Sequence, residues 1–167
     1  MRFFLTYFFL ISIAIGTFAQ SNTDTTQNKA LSYIGAFLDT SHLVILPFSV
    51  SRNPFIKNYK EPIVFKPDLY KVEELFYKSL NTYYKDVLKG IRDVTIAKIM
   101  TSYKKQLIFA TDRTGQRFVW INCMCQANDD YWKKGIPLVF DGGDCYFSLK
   151  INLTTGEYFD FIVNGNG

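Results

Sequence analysis

The sequence predicts an α+β domain in which one long helix covers one face of an antiparallel meander of about four strands. Three observations predict it. First, Leu69, Val72, Phe76, Leu80, Tyr83 and Val87 form a helical apolar stripe, with Lys71, Glu74, Lys78, Asn81, Lys85 and Lys89 on the far side. Second, the chain alternates from Cys145 onward. Cys145, Phe147, Leu149, Ile151 and Leu153 fall on one face, and Asp144, Tyr146, Ser148, Lys150 and Asn152 on the other. Third, the turn Thr154-Thr155-Gly156 and an aromatic run from Glu157 to Val163 close a hairpin whose two faces differ. A sheet with one apolar face needs a cover, and the helix stripe supplies it.

Taken in order, the chain begins with a segment that reads as a secretory signal. Arg2 gives a positive start, Phe3 to Ile15 is almost unbroken apolar sequence, and Gly16 to Ala19 supplies small residues suited to cleavage after Ala19. The apolar run is about 13 residues, short of the ~20 that a spanning helix needs. Residues 20–28 are polar and predict a flexible leader, and residues 29–167 then form a single domain. Ala30, Leu31, Ile34, Phe37 and Leu38 suit a short helix, and Leu43 to Leu46 a brief strand. Pro47 to Pro67 is broken by prolines and reads as a loop, with room for a short strand at Ile63, Val64 and Phe65. Asp68 is the expected N-cap of the long helix and Gly90 its stop, with Tyr70, Tyr77 and Tyr84 in a row beside the stripe. Strands follow at Tyr103 to Ala110, Arg117 to Gln126 and Pro137 to Phe140. The first two are joined by the turn Asp112 to Gly115. Asn128 to Gly135 is a polar loop, and Asp141-Gly142-Gly143-Asp144 predicts a bulge or sharp bend.

Composition narrows the function classes. The formal charge of +4 is mild, and lysines and arginines do not gather on one face, so nucleic acid is not indicated. The 16 Phe and 11 Tyr suit a half-buried sheet. No segment after the signal is apolar enough to cross a membrane, so the mature protein is expected to be secreted or periplasmic without a membrane anchor. Phosphate loops, dinucleotide fingerprints and His-Glu-x-x-His helices are not present, and no cofactor is implied.

Three sets of residues carry candidate chemistry. Cys123, Cys125 and Cys145 suit a cross-strand disulfide from Cys145 to either Cys123 or Cys125; three buried thiols are the alternative. Redox chemistry at Cys123 and Cys125 would need an exposed, low-pKa thiolate. A zinc site built from these cysteines and His42 lacks the usual paired ligand spacing. His42 is the sole histidine, so any Ser-His or Cys-His scheme must run through it. Asp129, Asp130, Asp141 and Asp144 are explained by turns, although they could gather at one end of the sheet. The face of the sheet away from the helix is the candidate binding surface. It carries Trp120, Tyr146, Lys150 and Asn152, with Asn122 and Ser148 between them.

A resemblance adds to this reading. The runs from Tyr103 to Gln106 and Gly115 to Cys123, then Trp132-Lys133-Lys134, Asp141 to Phe147 and Lys150 to Gly156, resemble small secreted bacterial proteins of no assigned function. The resemblance spans about residues 103–165 and implies export and a cystatin-like fold, with a nuclear-transport-factor-like cone as the alternative shape. It carries over no catalytic residue. The tip Asp112-Arg113-Thr114-Gly115-Gln116 lacks the Gln-x-Val-x-Gly motif by which cystatins inhibit papain-type proteases. The expectation is therefore a secreted or periplasmic, non-enzymatic module that binds an unknown protein or surface ligand. The alternative is a small enzyme or ligand-binding cup between helix and sheet, using Asp141, Asp144 and the tyrosine row.

Overall fold

The computed structural model describes residues 37–55, 57–64, 66–87, 93–127 and 130–165. The expected signal, the leader and most of the expected first helix lie outside these residues, as does Asp129. The described chain is α+β. It runs β1 (Leu43–Ile45), β2 (Tyr59–Lys60), α1 (Lys66–Val87), α2 (Asp93–Ser102), β3 (Lys104–Asp112), β4 (Arg117–Met124), β5 (Tyr146–Asn152) and β6 (Tyr158–Val163). Short 3₁₀ turns occupy Asp130–Lys133 and Gly143–Cys145.

The expected meander is present as β3-β4-β5-β6, each strand antiparallel to the next. Among the described residues the sheet has six strands and is mixed, where a wholly antiparallel one was expected. β1 runs parallel to β3 with Val44 opposite Gln106, and β2 pairs antiparallel with the far end of β3. The helix α2, at Asp93–Ser102, is one the sequence pattern did not predict. Its Ile96, Ile99 and Met100 are buried at helical spacing. No strand forms at residues 63–64 or at Pro137 to Phe140; Ile63 and Phe140 face solvent.

The apolar faces sort the sheet into two cores. On the helix side, Val72, Phe76 and Leu80 of α1 and Ile99 and Met100 of α2 pack with Leu107, Val119, Ile121, Phe147, Leu149 and Ile151. Tyr77 and Tyr84 belong to this core, whereas Tyr70 is exposed. On the other side, Leu46 just after β1 and Phe55 from the proline-broken segment, with Ile136, cover Ile108, Ala110, Phe118 and Trp120.

Two polar arrangements pin the layers. Asp68 is not an N-cap: α1 already includes Lys66 and Pro67, and the Asp68 carboxylate takes a two-pronged contact from Arg117 of β4. The Arg117 Nη1 and Nη2 donate at 2.6 and 2.8 Å, tying the start of the helix to the sheet. Lys105 is fully buried beneath α2. Its ammonium donates to Met100 O and Tyr103 O at 2.9 Å and to Ile99 O at 3.4 Å. These are carbonyls left open at a helix C-terminus, the electronegative end, so the cation finds both hydrogen bonds and a favourable field.

Candidate functional site

The second face of the sheet is where side chains, a stapled loop and exposed apolar groups meet. The β4–β5 register sets the staple. Cys123 stands opposite Phe147 and Met124 opposite Tyr146, so the next pair outward is Cys125 with Cys145. These two form the disulfide, with Cα atoms 4.9 Å apart, and Cys125 N also donates to Cys145 O at 2.9 Å. Cys123 is the buried free thiol, and burial pushes it up to about 12. It is thus the opposite of the low-pKa, exposed thiolate that redox chemistry needs, and Cys125 is already committed to the disulfide.

The chain between the bonded cysteines folds back over the sheet. Three side chains hold its backbone and a fourth braces one of them. Gln106 Nε2 donates to Trp132 O and, at 2.8 Å, to Gly135 O, and Asn122 Nδ2 supports the same amide by donating to Gln106 Oε1 at 2.9 Å. Arg52 Nη1 donates to Ile136 O at 2.9 Å, and Asn164 Nδ2 to Val139 O at 2.7 Å. Of the polar row expected to meet water, Asn122 instead braces Gln106, and the carbonyls of the covering loop are satisfied by Gln106, Arg52 and Asn164. Two glycines bring that loop close to aromatic rings. A Cβ on Gly135 would lie 2.7 Å from the Tyr131 ring, and one on Gly142 2.6 Å from the Tyr146 ring. Gly142 also has φ of 103°, a conformation that glycine adopts without strain.

Between this loop and the end of the sheet lies an open cleft of about 180 Å³, lined by Met124, Gln126, Ala127, Tyr131, Trp132, Pro137, Val139 and Tyr146. A smaller recess of about 70 Å³ adjoins it, sharing Met124, Pro137, Val139 and Tyr146 and adding Asn122, Ile136 and Asn164. Tyr146 is therefore part of the cleft, and its hydroxyl donates to Gln126 O at 3.3 Å.

The other expected binding residues fall elsewhere. Trp120 is buried in the second core beneath Phe55 and Leu46. Asn152 is buried as a turn residue. Its Oδ1 accepts from Thr154 N and Thr155 N, and its Nδ2 donates to Gln116 Oε1. Lys150 is half-buried and paired with Asp160 at 3.0 Å, its ammonium lying over the Phe55 and Phe159 rings. Trp120 and Asn152 thus leave the exposed face to Tyr146, Lys150 and the residues of the stapled loop.

The catalytic schemes weighed from the sequence do not assemble. Ser41 Oγ, His42 Nδ1 and Asp39 Oδ2 lie within 3.0 Å of one another, but both partners meet the same ring nitrogen. The imidazole therefore cannot pass a proton from serine at one nitrogen to aspartate at the other. Hydrogen bonds from Ser41, then His42, hold the Asp39 carboxyl below the usual carboxylate range. Asp130, Asp141 and Asp144 are exposed, and Asp130 pairs with Lys133. No group of three or more His, Cys, Asp or Glu among the described residues is arranged to hold a metal ion. No helix among them is long and apolar enough to cross a membrane.

One notable group escaped the sequence reading. Glu73 of α1 is buried in the helix–sheet core, and neither of its carboxylate oxygens has a hydrogen-bond partner. Burial pushes it up to about 7, while Lys105 pulls weakly the other way. Its spacing from Phe76 and Leu80 already placed it beside the apolar stripe.

No family model, curated protein or solved structure matches this chain. The functional reading therefore rests on the site itself.

Proposed function

We propose that the protein is an exported, non-enzymatic binding module, secreted or periplasmic, that seats an apolar side chain of a protein partner in the cleft beside Tyr146. The size of the cleft carries this reading. Pockets that enclose a small molecule run to roughly 300–1,000 Å³. At about 180 Å³, with Met124, Tyr131, Trp132, Pro137, Val139 and Tyr146 in its wall, this cleft fits one aromatic or branched side chain. The rigid frame around it suits the same role, because a preorganised surface loses little freedom on binding. The Cys125–Cys145 disulfide agrees with an oxidising compartment, and the amino-terminal pattern agrees with export. The lie of α1 across the β3–β6 meander supports a cystatin-like core, onto which β1, β2, α2 and the stapled loop are added.

An enzyme or ligand cup between helix and sheet stands second. Buried Glu73, protonating near neutral pH, is the observation in its favour. Phe37, Phe76, Leu80, Leu107, Ile121 and Leu149 pack that interface, and the carboxylates expected to serve it, Asp141 and Asp144, lie exposed.

The test is capture from the envelope proteins of the producing cell, using the wild type and Ala127→Trp, which puts an indole into the cleft. A protein retained by the wild type and lost with the variant is expected; capture indifferent to the substitution overturns the reading. Export is tested by the N-terminus of the mature protein, which should be Gln20. Full-length protein retained in the cytoplasm would refute that part.

A further inference from the structure

Two ionisable groups lie in the helix–sheet core without being bonded to each other. Glu73 of α1 is buried, and neither carboxylate oxygen has a hydrogen-bond partner. Lys105 of β3 is fully buried, and its ammonium serves α2 instead, donating to Ile99 O, Met100 O and Tyr103 O. Phe37 links the two. The ammonium stands 5.5 Å over the Phe37 ring, and that ring is 5.8 Å from the ring of Phe76, one turn along α1 from Glu73. The carboxyl without a partner thus has a cation in its own core that is bonded elsewhere.

We propose that Glu73 and Lys105 form a latch on α2: the protonated carboxyl leaves the ammonium on the α2 carbonyls, and the ionised carboxylate draws it away and frees the last turn of the helix. The latch lies in the helix–sheet core, so it does not depend on what the cleft binds. Three observations support it. The first is the orphaned carboxyl. A neutral acid tolerates an apolar site far better than an unpaired carboxylate does. The second is reach. Among the described residues, Lys105 is the one charged group that acts on Glu73, and its four-carbon stem lets the ammonium move while β3 stays in place. The third is the lack of a competitor. The groups that act on Lys105 are Cys123 from β4, Asp39 from the segment before β1, Glu73 from α1 and its neighbour Lys104. Burial keeps the Cys123 thiol neutral, pushed up to about 12, and raises the Tyr103 hydroxyl as well. Asp39 is exposed and already bonded to Ser41 and His42, and Lys104 donates to Ser41 O. The direction follows from burial, which raises Glu73 to about 7 and lowers Lys105 to about 8. Below about 7 the latch is closed. As the pH rises through that value the carboxylate ionises while the ammonium is still charged, and the latch opens. Above about 8 the amine has lost its charge, so the cation does not return to the carbonyls. Opening leaves those helix-end carbonyls without their donor, so the stability lost on ionisation is felt at α2.

The experiment is amide hydrogen exchange by NMR on the intact, disulfide-bonded protein at about pH 5.5 and about pH 7.5, for the wild type and Glu73→Gln. Protection factors remove the intrinsic effect of pH on exchange. In the wild type, protection of the amides from Met100 to Tyr103 should fall at least about tenfold between the two, as loss of a charged hydrogen bond implies, while the β4 amides keep theirs. In Glu73→Gln, which keeps the shape but cannot ionise, the fall should be absent. A second readout needs no variant: the side-chain carbon shifts of Lys105 should follow the titration of the Glu73 carboxyl. Protection at α2 that is indifferent to pH overturns the proposal, as does an equal fall in Glu73→Gln. So does a Glu73 that titrates while Lys105 stays in place, which would mean that water, and not the lysine, meets the carboxylate.

Discussion

Replacing Glu73 with glutamine should flatten the pH dependence of stability. Glu73 is 1% exposed and its carboxylate has no hydrogen-bond partner. Burial raises the carboxyl from 4.5 to about 7. At about 1.4 kcal/mol per pKa unit that difference is worth roughly 3 kcal/mol. The folded protein binds this proton more tightly than the unfolded chain does. Its contribution is therefore complete below 4.5 and is lost as the pH rises through about 7. Lys105 sits in the same core, lowered by burial to about 8, so its change of charge falls at the upper end of the window. Glutamine keeps the shape of the side chain and removes the titration. Urea denaturation at about pH 4 and about pH 8 should show the wild type losing roughly 3 kcal/mol more than Glu73→Gln over that interval. The variant should be the more stable protein at the alkaline end, because an unpaired buried amide costs less than an unpaired buried charge. Parallel pH profiles for the two proteins would refute the reasoning. They would mean that the carboxylate reaches water or a partner in the folded state.

Other substitutions probe the remaining supports. Replacing Cys125 and Cys145 with serine opens a cross-link between residues 20 apart, and should cost about 3 kcal/mol in denaturation. In the native protein the Cys123 thiol, raised by burial to about 12, should resist alkylation at neutral pH and react only on unfolding. A thiol that reacts in the folded state would contradict its burial. Arg117→Leu removes both hydrogen bonds to Asp68 and should destabilise by about 2 kcal/mol; a change within about 0.5 kcal/mol would show the contact to be idle. Gly142→Ala drives a methyl into the Tyr146 ring and forces a strained φ, so it should cost about 1–3 kcal/mol and displace the ring. Crystallography of that variant shows whether the cleft wall has moved.

The elements most legible in the sequence were those whose pattern is local and one-sided. Phe147, Leu149 and Ile151 alternate because one face of β5 meets the helices, and Val72, Phe76 and Leu80 recur because one face of α1 meets the sheet. The turn at Asp112 was legible for a similar reason. Its carboxylate accepts from Thr114 N and Gln116 N, and Gly115 takes φ of 86°. The rest depended on partners distant in sequence. The parallel pairing of Leu43–Ile45 with β3 spans some sixty residues and leaves no local mark. The choice between Cys123 and Cys125 required the β4–β5 register, which moves every residue across the ladder if it slips by one. The covered second face did leave a sign. Its inner polar positions are Gln106 and Asn122, amides that can satisfy backbone groups, where a face in water more often carries charges.

That same chemistry explains why the cover stops where it does. A loop can lie on a sheet only if its buried carbonyls and amides find partners. Gln106 on β3, braced by Asn122 on β4, offers such partners, and Arg52 adds another from the side, so the stapled loop settles over β3 and β4. Across β5 and β6 that row continues as Ser148 opposite Ile162, while the neighbouring row of Ile108 and Trp120 continues as Lys150 opposite Phe159. Lys150 is already drawn to Asp160, at 3.0 Å, rather than to a crossing loop. The loop is instead caught once more, by Asn164 at the end of β6, and its next residue, Phe140, is left 85% exposed. The boundary between covered and bare sheet is thus set by which side chains can hold backbone. Replacing Ser148 with glutamine would extend the amide row onto β5. The outer half of the face would then gain a partner for a covering chain, and the solvent exposure of Phe140, now 85%, should fall without loss of stability.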